Sequence, residues 1–229
     1  MELMYQGKTK DLYQLEDGRY QFKFKDDVTG SEGVFDPGAN QVGLTLEGSG
    51  RSNVQMSQYF FERFEEAGIH THYLDADVDA QTMTVTRADF FGQGLEVICR
   101  YKAVGSFMRR YEQYAQEGQD LNGYVEITLK DDERQDPLIT HEGLLVLGIL
   151  RPGEYEDIVE ATQNISEMIR QDLLDKALEL YDLKLEFGRD PQTGELMLID
   201  EVSAGNMRVY KEGHSVEPLE LAKHYQEET

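Results

Sequence analysis

Asp182-Leu183-Lys184-Leu185-Glu186-Phe187 alternates a charged residue with an apolar one over six positions. Side chains of a strand point alternately to opposite faces, so Asp182, Lys184 and Glu186 share one face at steps of about 7 Å. Leu183, Leu185 and Phe187 occupy the other. The period of two reads as a strand with one apolar and one charged face. A turn at Asp190-Pro191-Gln192-Thr193-Gly194 and the apolar run Leu196 to Ile199 complete a hairpin. Its second strand ends in Asp200-Glu201, and hairpin pairing is expected to bring Asp200 close to Lys184 and Glu186. A solvated sheet face carries the same alternation, but the neighbouring strand shifts the reading. Carboxylates from adjacent strands, Glu186 and Asp200, are hard oxygen ligands of the kind Mg²⁺ takes while keeping waters and nucleotide phosphates in its other positions.

A phosphate-bearing ligand needs cations, and the chain is poor in them: 22 Lys and Arg stand against 45 Asp and Glu, a formal charge of -23. Such a surface repels nucleic-acid backbones and anionic lipid, so neither is an expected partner. The basic residues that do occur are clustered. Gly7-Lys8-Thr9-Lys10 offers backbone N–H groups and two ammonium groups to a polyphosphate, although an exposed basic strand reads the same way. The segment from Arg100 to Arg110 holds Gly105-Ser106, which opens a helix beside guanidinium groups and favours a phosphate monoester. Arg109 and Arg110 are read as helix decoration, and Arg208 as a further guanidinium for the same anion.

The 229 residues fit one compact unit or two small lobes. Strands are expected at Asp11 to Leu15 and Tyr20 to Phe24, joined as a hairpin, and at Thr82 to Thr86, Leu95 to Arg100, Val125 to Leu129 and Tyr181 to Gly188. Helices are expected from Asn53 to Ala67 with Ser52 or Asn53 as N-cap, from Arg110 to Ala115, and from Glu154 to Leu180. The apolar stripe of the last is Ile158, Ala161, Ile165, Met168, Leu173, Ala177 and Leu180, and Pro152 suits its first turn. Strands and helices lack a βαβ rhythm, which predicts an α+β fold. A boundary at Phe91-Gly92-Gln93-Gly94 divides an N-terminal sheet lobe, 1–91, from a larger α+β lobe, 92–229. No run reaches the roughly 20 apolar residues of a membrane helix, and the N-terminus lacks a secretion-signal layout, so a cytoplasmic protein is expected. Cys99 lies in an apolar run and reads as a buried structural thiol, while His70 and His72 lack a third ligand for a metal.

In order along the chain, these motifs resemble the SAICAR synthetase family, phosphoribosylaminoimidazole-succinocarboxamide synthase. The resemblance rests on Gly7-Lys8-Thr9-Lys10, Lys25-Asp26-Asp27-Val28-Thr29-Gly30-Ser31-Glu32-Gly33, Glu96-Val97-Ile98-Cys99-Arg100 running to Gly105-Ser106, Leu129-Lys130-Asp131-Asp132 with Asp136-Pro137, Asp182 to Gly188, and Asp200-Glu201 with Arg208. Departures from the family pattern fall at Gly48-Ser49-Gly50-Arg51, at Gly94-Leu95, at Ser203-Ala204-Gly205-Asn206-Met207 and in the tail from Glu212 to Thr229.

The resemblance implies a two-lobe fold similar to ATP-grasp and kinase architectures with ATP between the lobes. It implies an ATP-dependent carbon–nitrogen ligase of purine biosynthesis that joins carboxyaminoimidazole ribonucleotide (CAIR) to L-aspartate through an acyl phosphate, releasing ADP and phosphate. By motif position, Lys8, Lys10, Lys130, Glu186 and Asp200 would hold the nucleotide, and Glu186 and Asp200 the Mg²⁺. Arg100, Ser106 and Arg208 would hold the ribonucleotide phosphate. Lys184, Asp200 and Asp182 form the expected catalytic set, Asp182 beside the ribonucleotide. Three alternatives stay open: a divergent amide ligase for another amine or carboxylate, a kinase-like enzyme that stops at phosphorylation, and a nucleotide-binding homologue without catalysis. A homo-oligomer is left open as well.

Overall fold

The computed structural model describes residues 1–31, 33–39 and 41–226, so Glu32 of the Lys25 to Gly33 motif and the end of the tail lie outside the described residues. The chain forms two compact units. Unit 1 is Met1–Ala88 with Ile199–Asn206 and the segment from Val216, and unit 2 is Asp89–Leu198 with Met207–Ser215. The division expected after residue 91 differs in that the two later segments return to unit 1, because the turn at Asp200 leads the chain out of the second sheet.

In unit 1, β1 (Glu2–Gln6), β2 (Lys10–Gln14) and β3 (Tyr20–Phe24) form an antiparallel meander; β4 (Asp27–Ser31), β5 (Val34–Phe35) and β6 (Val42–Thr45) form a small second sheet. Helix α1 (Ser49–Glu66) follows, then β7 (Tyr73–Asp77) and β8 (Thr82–Val85), which complete the order β1-β2-β3-β8-β7. The hairpin around Glu16-Asp17-Gly18 is present as β2–β3. Helix α1 starts earlier than its periodicity predicts: Gly48 adopts φ 89 and the Asp26 carboxylate accepts a hydrogen bond from the Gly50 N–H at 2.9 Å. A distant acid thus does the work assigned to Ser52 or Asn53. Val54, Met56, Phe60, Phe61 and Phe64 form the helix's buried side.

Unit 2 is built on one sheet. Its strands are β9 (Asp89–Phe90), β10 (Leu95–Lys102), β11 (Asp120–Leu129), β12 (Glu179–Arg189), β13 (Leu196–Ile199), β14 (Met207–Lys211) and β15 (His214–Ser215), with β12 central between β10 and β14 and also pairing with β9 and β13. Helices α2 (Gly105–Tyr111) and α3 (His141–Val146) are short, and α4 (Glu154–Asp175) packs against β10, β11 and β12. Helix α2 begins at Gly105 rather than Arg110, since Gly105 at φ 54 turns the chain directly out of β10. Helix α4 stops at Asp175, short of Leu180, where Ala177 turns left-handed at φ 57 and the Leu178 N–H closes back on the Leu173 carbonyl. Leu180 therefore serves β12, and Thr162, Ser166 and Ile169 are buried with Ile158, Ile165 and Leu173 on the helix. Gly153 is the N-cap, which leaves Pro152 just ahead of the helix. The returning segment carries α5 (Pro218–Lys223), which packs on α1 in unit 1. Among the described residues no helix is long and apolar enough to cross a membrane. The architecture is α+β.

Candidate active site

The alternation on β12 sorts as expected on its apolar side, where Leu183, Leu185 and Phe187 are at most 2% exposed. The charged face is no solvated surface. Asp182 and Glu186 are buried as well, at 3% and 6% exposed, so each charge on this face needs a partner within the protein. Asp182 meets Arg100 at 2.9 Å and Arg208 at 2.6 Å, Lys184 meets Glu96 at 2.6 Å, and Glu186 meets Lys130 at 2.6 Å. Register explains the first pair, since Arg100 stands opposite Asp182 across β10 and β12. Burial alone pulls the Lys184 ammonium down, but Glu96 and Glu186 outweigh it and the net shift is upward.

Arg100 is the most enclosed charge of unit 2. Its Nε and Nη2 donate to Glu126 Oε1 at 2.9 and 2.6 Å, its Nη1 to Asp182 Oδ2, and its Nη2 also to Ser106 Oγ at 2.7 Å. Arg110 donates to the same Glu126 oxygen, so it is part of the cluster rather than helix decoration. Arg208 lies directly beside Gly105: a Cβ there would stand 2.7 to 2.9 Å from its guanidinium. Ser106, Arg100, Arg208 and Asp182 are thus brought together in unit 2, with three guanidinium groups facing two carboxylates.

Unit 1 holds a second cluster. Lys10 Nζ sits 2.9 Å from Asp200 Oδ1 and 2.7 Å from Glu201 Oε1, over the rings of Phe22 and Phe24. Burial opposes its charge, yet the two carboxylates hold its pKa well above the usual lysine range. Ser203 Oγ donates to Glu201 Oε2, and the Asn206 side chain donates to the Glu201 carbonyl at 2.7 Å. The altered segment after Asp200-Glu201 is therefore a closed turn that fixes Glu201. Lys8 lies in the turn between β1 and β2; Gly7 closes that turn with a hydrogen bond to the Lys10 carbonyl, and a Cβ at Gly7 would collide with that oxygen.

Glu126, Glu96 and His72 are the partners that sequence reasoning missed. Glu126, Thr128 and Lys130 alternate with Val125, Ile127 and Leu129, the same signal as on β12, and that alternation points to Glu126. His72 is no surface ligand: it is buried, and its Nε2 lies 2.9 Å from the Asp200 carbonyl. Cys99 is buried and its thiol is pushed up by burial, which fits the structural reading. Among the described residues no group of three or more His, Cys, Asp or Glu is placed to hold a metal. Glu186 in unit 2 and Asp200 in unit 1 each offer hard carboxylate oxygens.

The chain is similar over nearly its whole length to known proteins. The model of the SAICAR synthetase family matches residues 3–225. A phosphoribosylaminoimidazole-succinocarboxamide synthase of Clostridium tetani is 58% identical over 223 residues, covering 97% of this chain and 98% of that protein. One from Methanoculleus marisnigri is 35% identical, over 92% of this chain and 82% of that one. A solved SAICAR synthetase in complex with ADP superposes with a TM-score of 0.80 at 32% identity, covering 92% of this chain and 86% of the other. With the family model matching residues 3–225 and the Clostridium tetani relative matching nearly end to end, the chain belongs to the SAICAR synthetase family.

Proposed function

We propose that the chain catalyses the reaction for which its relatives are named, joining the carboxylate of CAIR to the amine of L-aspartate with ATP turned over to ADP and phosphate. The observation that carries the reading is the row Asp182, Lys184 and Glu186, its two carboxylates buried and each charge with its own counter-charge, in a chain matched nearly end to end by such synthases. A carboxylate is a poor acyl donor. Transfer of the γ-phosphoryl group to it creates a leaving group that an amine displaces, and catalysis is then positioning and charge neutralisation.

Within this reading Lys8, Lys10 and Lys130 neutralise nucleotide phosphates, and a related structure described as an ADP complex supports ATP as the nucleotide. Glu186 and Asp200 are the carboxylates assigned to Mg²⁺, which when bound supplies charge neutralisation on the phosphates. Arg100, Arg208 and Ser106 provide the donors for a phosphate monoester, with Asp182 fixing both guanidinium groups. Lys184 supplies a fixed positive charge where negative charge accumulates during phosphoryl transfer. The chain's acidity means that these clusters must reverse the local potential for three anionic substrates. The cytoplasm is the compartment this reading assigns.

The test is ADP release from the purified protein with Mg-ATP and CAIR, with and without L-aspartate, and the product followed by mass. Aspartate-dependent ADP together with the succinocarboxamide is the expected result. ADP formed equally without an amine selects a kinase-like activity, and an inert protein with added L-aspartate directs the search to another amine.

A further inference from the structure

His72 is 3% exposed and stands just ahead of β7 with its ring against Phe22 of β3 and Phe61 of α1, at centroid distances of 5.9 and 5.6 Å. These walls fix the plane of the imidazole. Its Nε2 lies 2.9 Å from the carbonyl oxygen of Asp200, 128 residues away in the chain, and a carbonyl only accepts, so Nε2 carries the hydrogen. The acceptor is an unusual residue. Asp200 has φ 68, a left-handed conformation that residues with a Cβ adopt uncommonly and that persists where the surroundings enforce it. The same residue is held from its side chain by Lys10 at 2.9 Å.

We propose that His72 is a positioning residue: its N–H clamps the Asp200 peptide in the left-handed turn and thereby aims the Asp200 carboxylate. The inference rests on the assignment of Asp200 to the metal–nucleotide site and deepens it. A ring that merely filled the core would be replaceable by phenylalanine, because Phe22 and Phe61 contact only its faces and edges. The N–H is the part that phenylalanine lacks. Rotation of the Asp200 peptide would swing its Cβ, and with it the carboxylate that the anionic nucleotide and its cation need in one place.

The experiment measures binding of ADP to the full chain by calorimetry, with and without MgCl₂, alongside steady-state kinetics. His72→Phe keeps the ring and loses the donor; His72→Gln restores an N–H at similar reach. His72→Phe is expected to weaken Mg²⁺-dependent ADP binding by about tenfold, the usual scale for an outer partner of a metal carboxylate, with the KM for L-aspartate little changed. His72→Gln is expected to recover most of that loss. In an Asp200→Asn background the His72→Phe change should add almost nothing, since the carboxylate it aims is gone. Full Mg²⁺-ADP affinity in His72→Phe, or an equal loss in both backgrounds, overturns the positioning role. Full affinity in Asp200→Asn overturns the assignment of Asp200 itself, a separate result that removes the proposal with it. Where His72→Phe does not fold, His72→Met, matching glutamine in length without its donor, takes its place against His72→Gln, and equal affinity of that pair overturns the proposal.

Discussion

Arg100 and Asp182 face each other in register across β10 and β12 and are joined at 2.9 Å, while Arg208 on β14 reaches the same Asp182 oxygen at 2.6 Å. One buried carboxylate thus orders two guanidinium groups from the strands on either side of it. The two arginines are not equivalent. Arg100 is bound on a second side by Glu126, which is itself buried, whereas Arg208 is less deeply set.

That asymmetry separates two substitutions. Arg208→Ala leaves Asp182 paired with Arg100, so the fold should persist while the KM for CAIR rises about tenfold or more, the loss of one charge-assisted contact, with the KM for ATP nearly unchanged. Arg100→Ala removes the buried guanidinium that joins Glu126 to Asp182 and leaves each with one less enclosed arginine, Arg110 and Arg208, at a cost of about 1.5–3 kcal/mol. Thermal unfolding should show the drop for Arg100→Ala and only a minor one for Arg208→Ala. Equal effects of Arg208→Ala on both substrates would remove Arg208 from the ribonucleotide.

Gly105→Ala tests the same cluster from the backbone side. The added methyl group would meet the Arg208 guanidinium at under 3 Å, and φ 54 is strained for alanine, costing about 1 kcal/mol. The guanidinium is the far end of a flexible side chain and can yield, but only by leaving Asp182. The expected outcome is a small loss of stability and a rise in the KM for CAIR that parallels Arg208→Ala. A Gly105→Ala enzyme with an unaltered KM would show that the position of Arg208 is uncritical.

Cys99 should be inert in the folded protein. It is fully enclosed, and burial disfavours its thiolate, the reactive form. Labelling with an exposed-thiol reagent at pH 7.5 is expected to be slow in buffer and rapid in denaturant. Fast native labelling would mean that β10 opens locally.

The sequence patterns revealed most about the sheet of unit 2, because period-two alternation is local and survives without tertiary information. Asp182, Lys184 and Glu186 share a face as the alternation requires, and the β12–β13 hairpin follows from the turn residues. Partners were less legible. Glu96 for Lys184 and Glu126 for Arg100 depend on which strand lies beside which, and β10 between β11 and β12 is a tertiary fact. Helix ends are illegible where the determinants are distant or conformational: Asp26 capping α1, Ala177 ending α4 without a glycine, Gly105 starting α2. The sequence offers His72 only as a candidate metal ligand, since nothing local ties it to a residue 128 positions on.

The buried His72 also makes stability depend on pH. Burial lowers its pKa from 6.5 to about 4, and the nearby Lys10 charge acts in the same direction, outweighing the hydrogen bond to the Asp200 carbonyl and the attraction of its carboxylate. A folded-state pKa below the unfolded value means that the unfolded chain binds the proton more tightly. The stabilisation is therefore complete above about pH 6.5 and lost progressively as pH falls toward 4, a range corresponding to roughly 3 kcal/mol. Urea midpoints of the parent and His72→Gln should converge as pH drops from 7.5 to 4.5, because glutamine does not titrate and removes this part of the slope. Carboxylate titrations common to both chains cancel in the difference. Parallel curves over that range would show that His72 is protonated as readily in the folded protein as in the unfolded chain, and that its cage of Phe22 and Phe61 admits water.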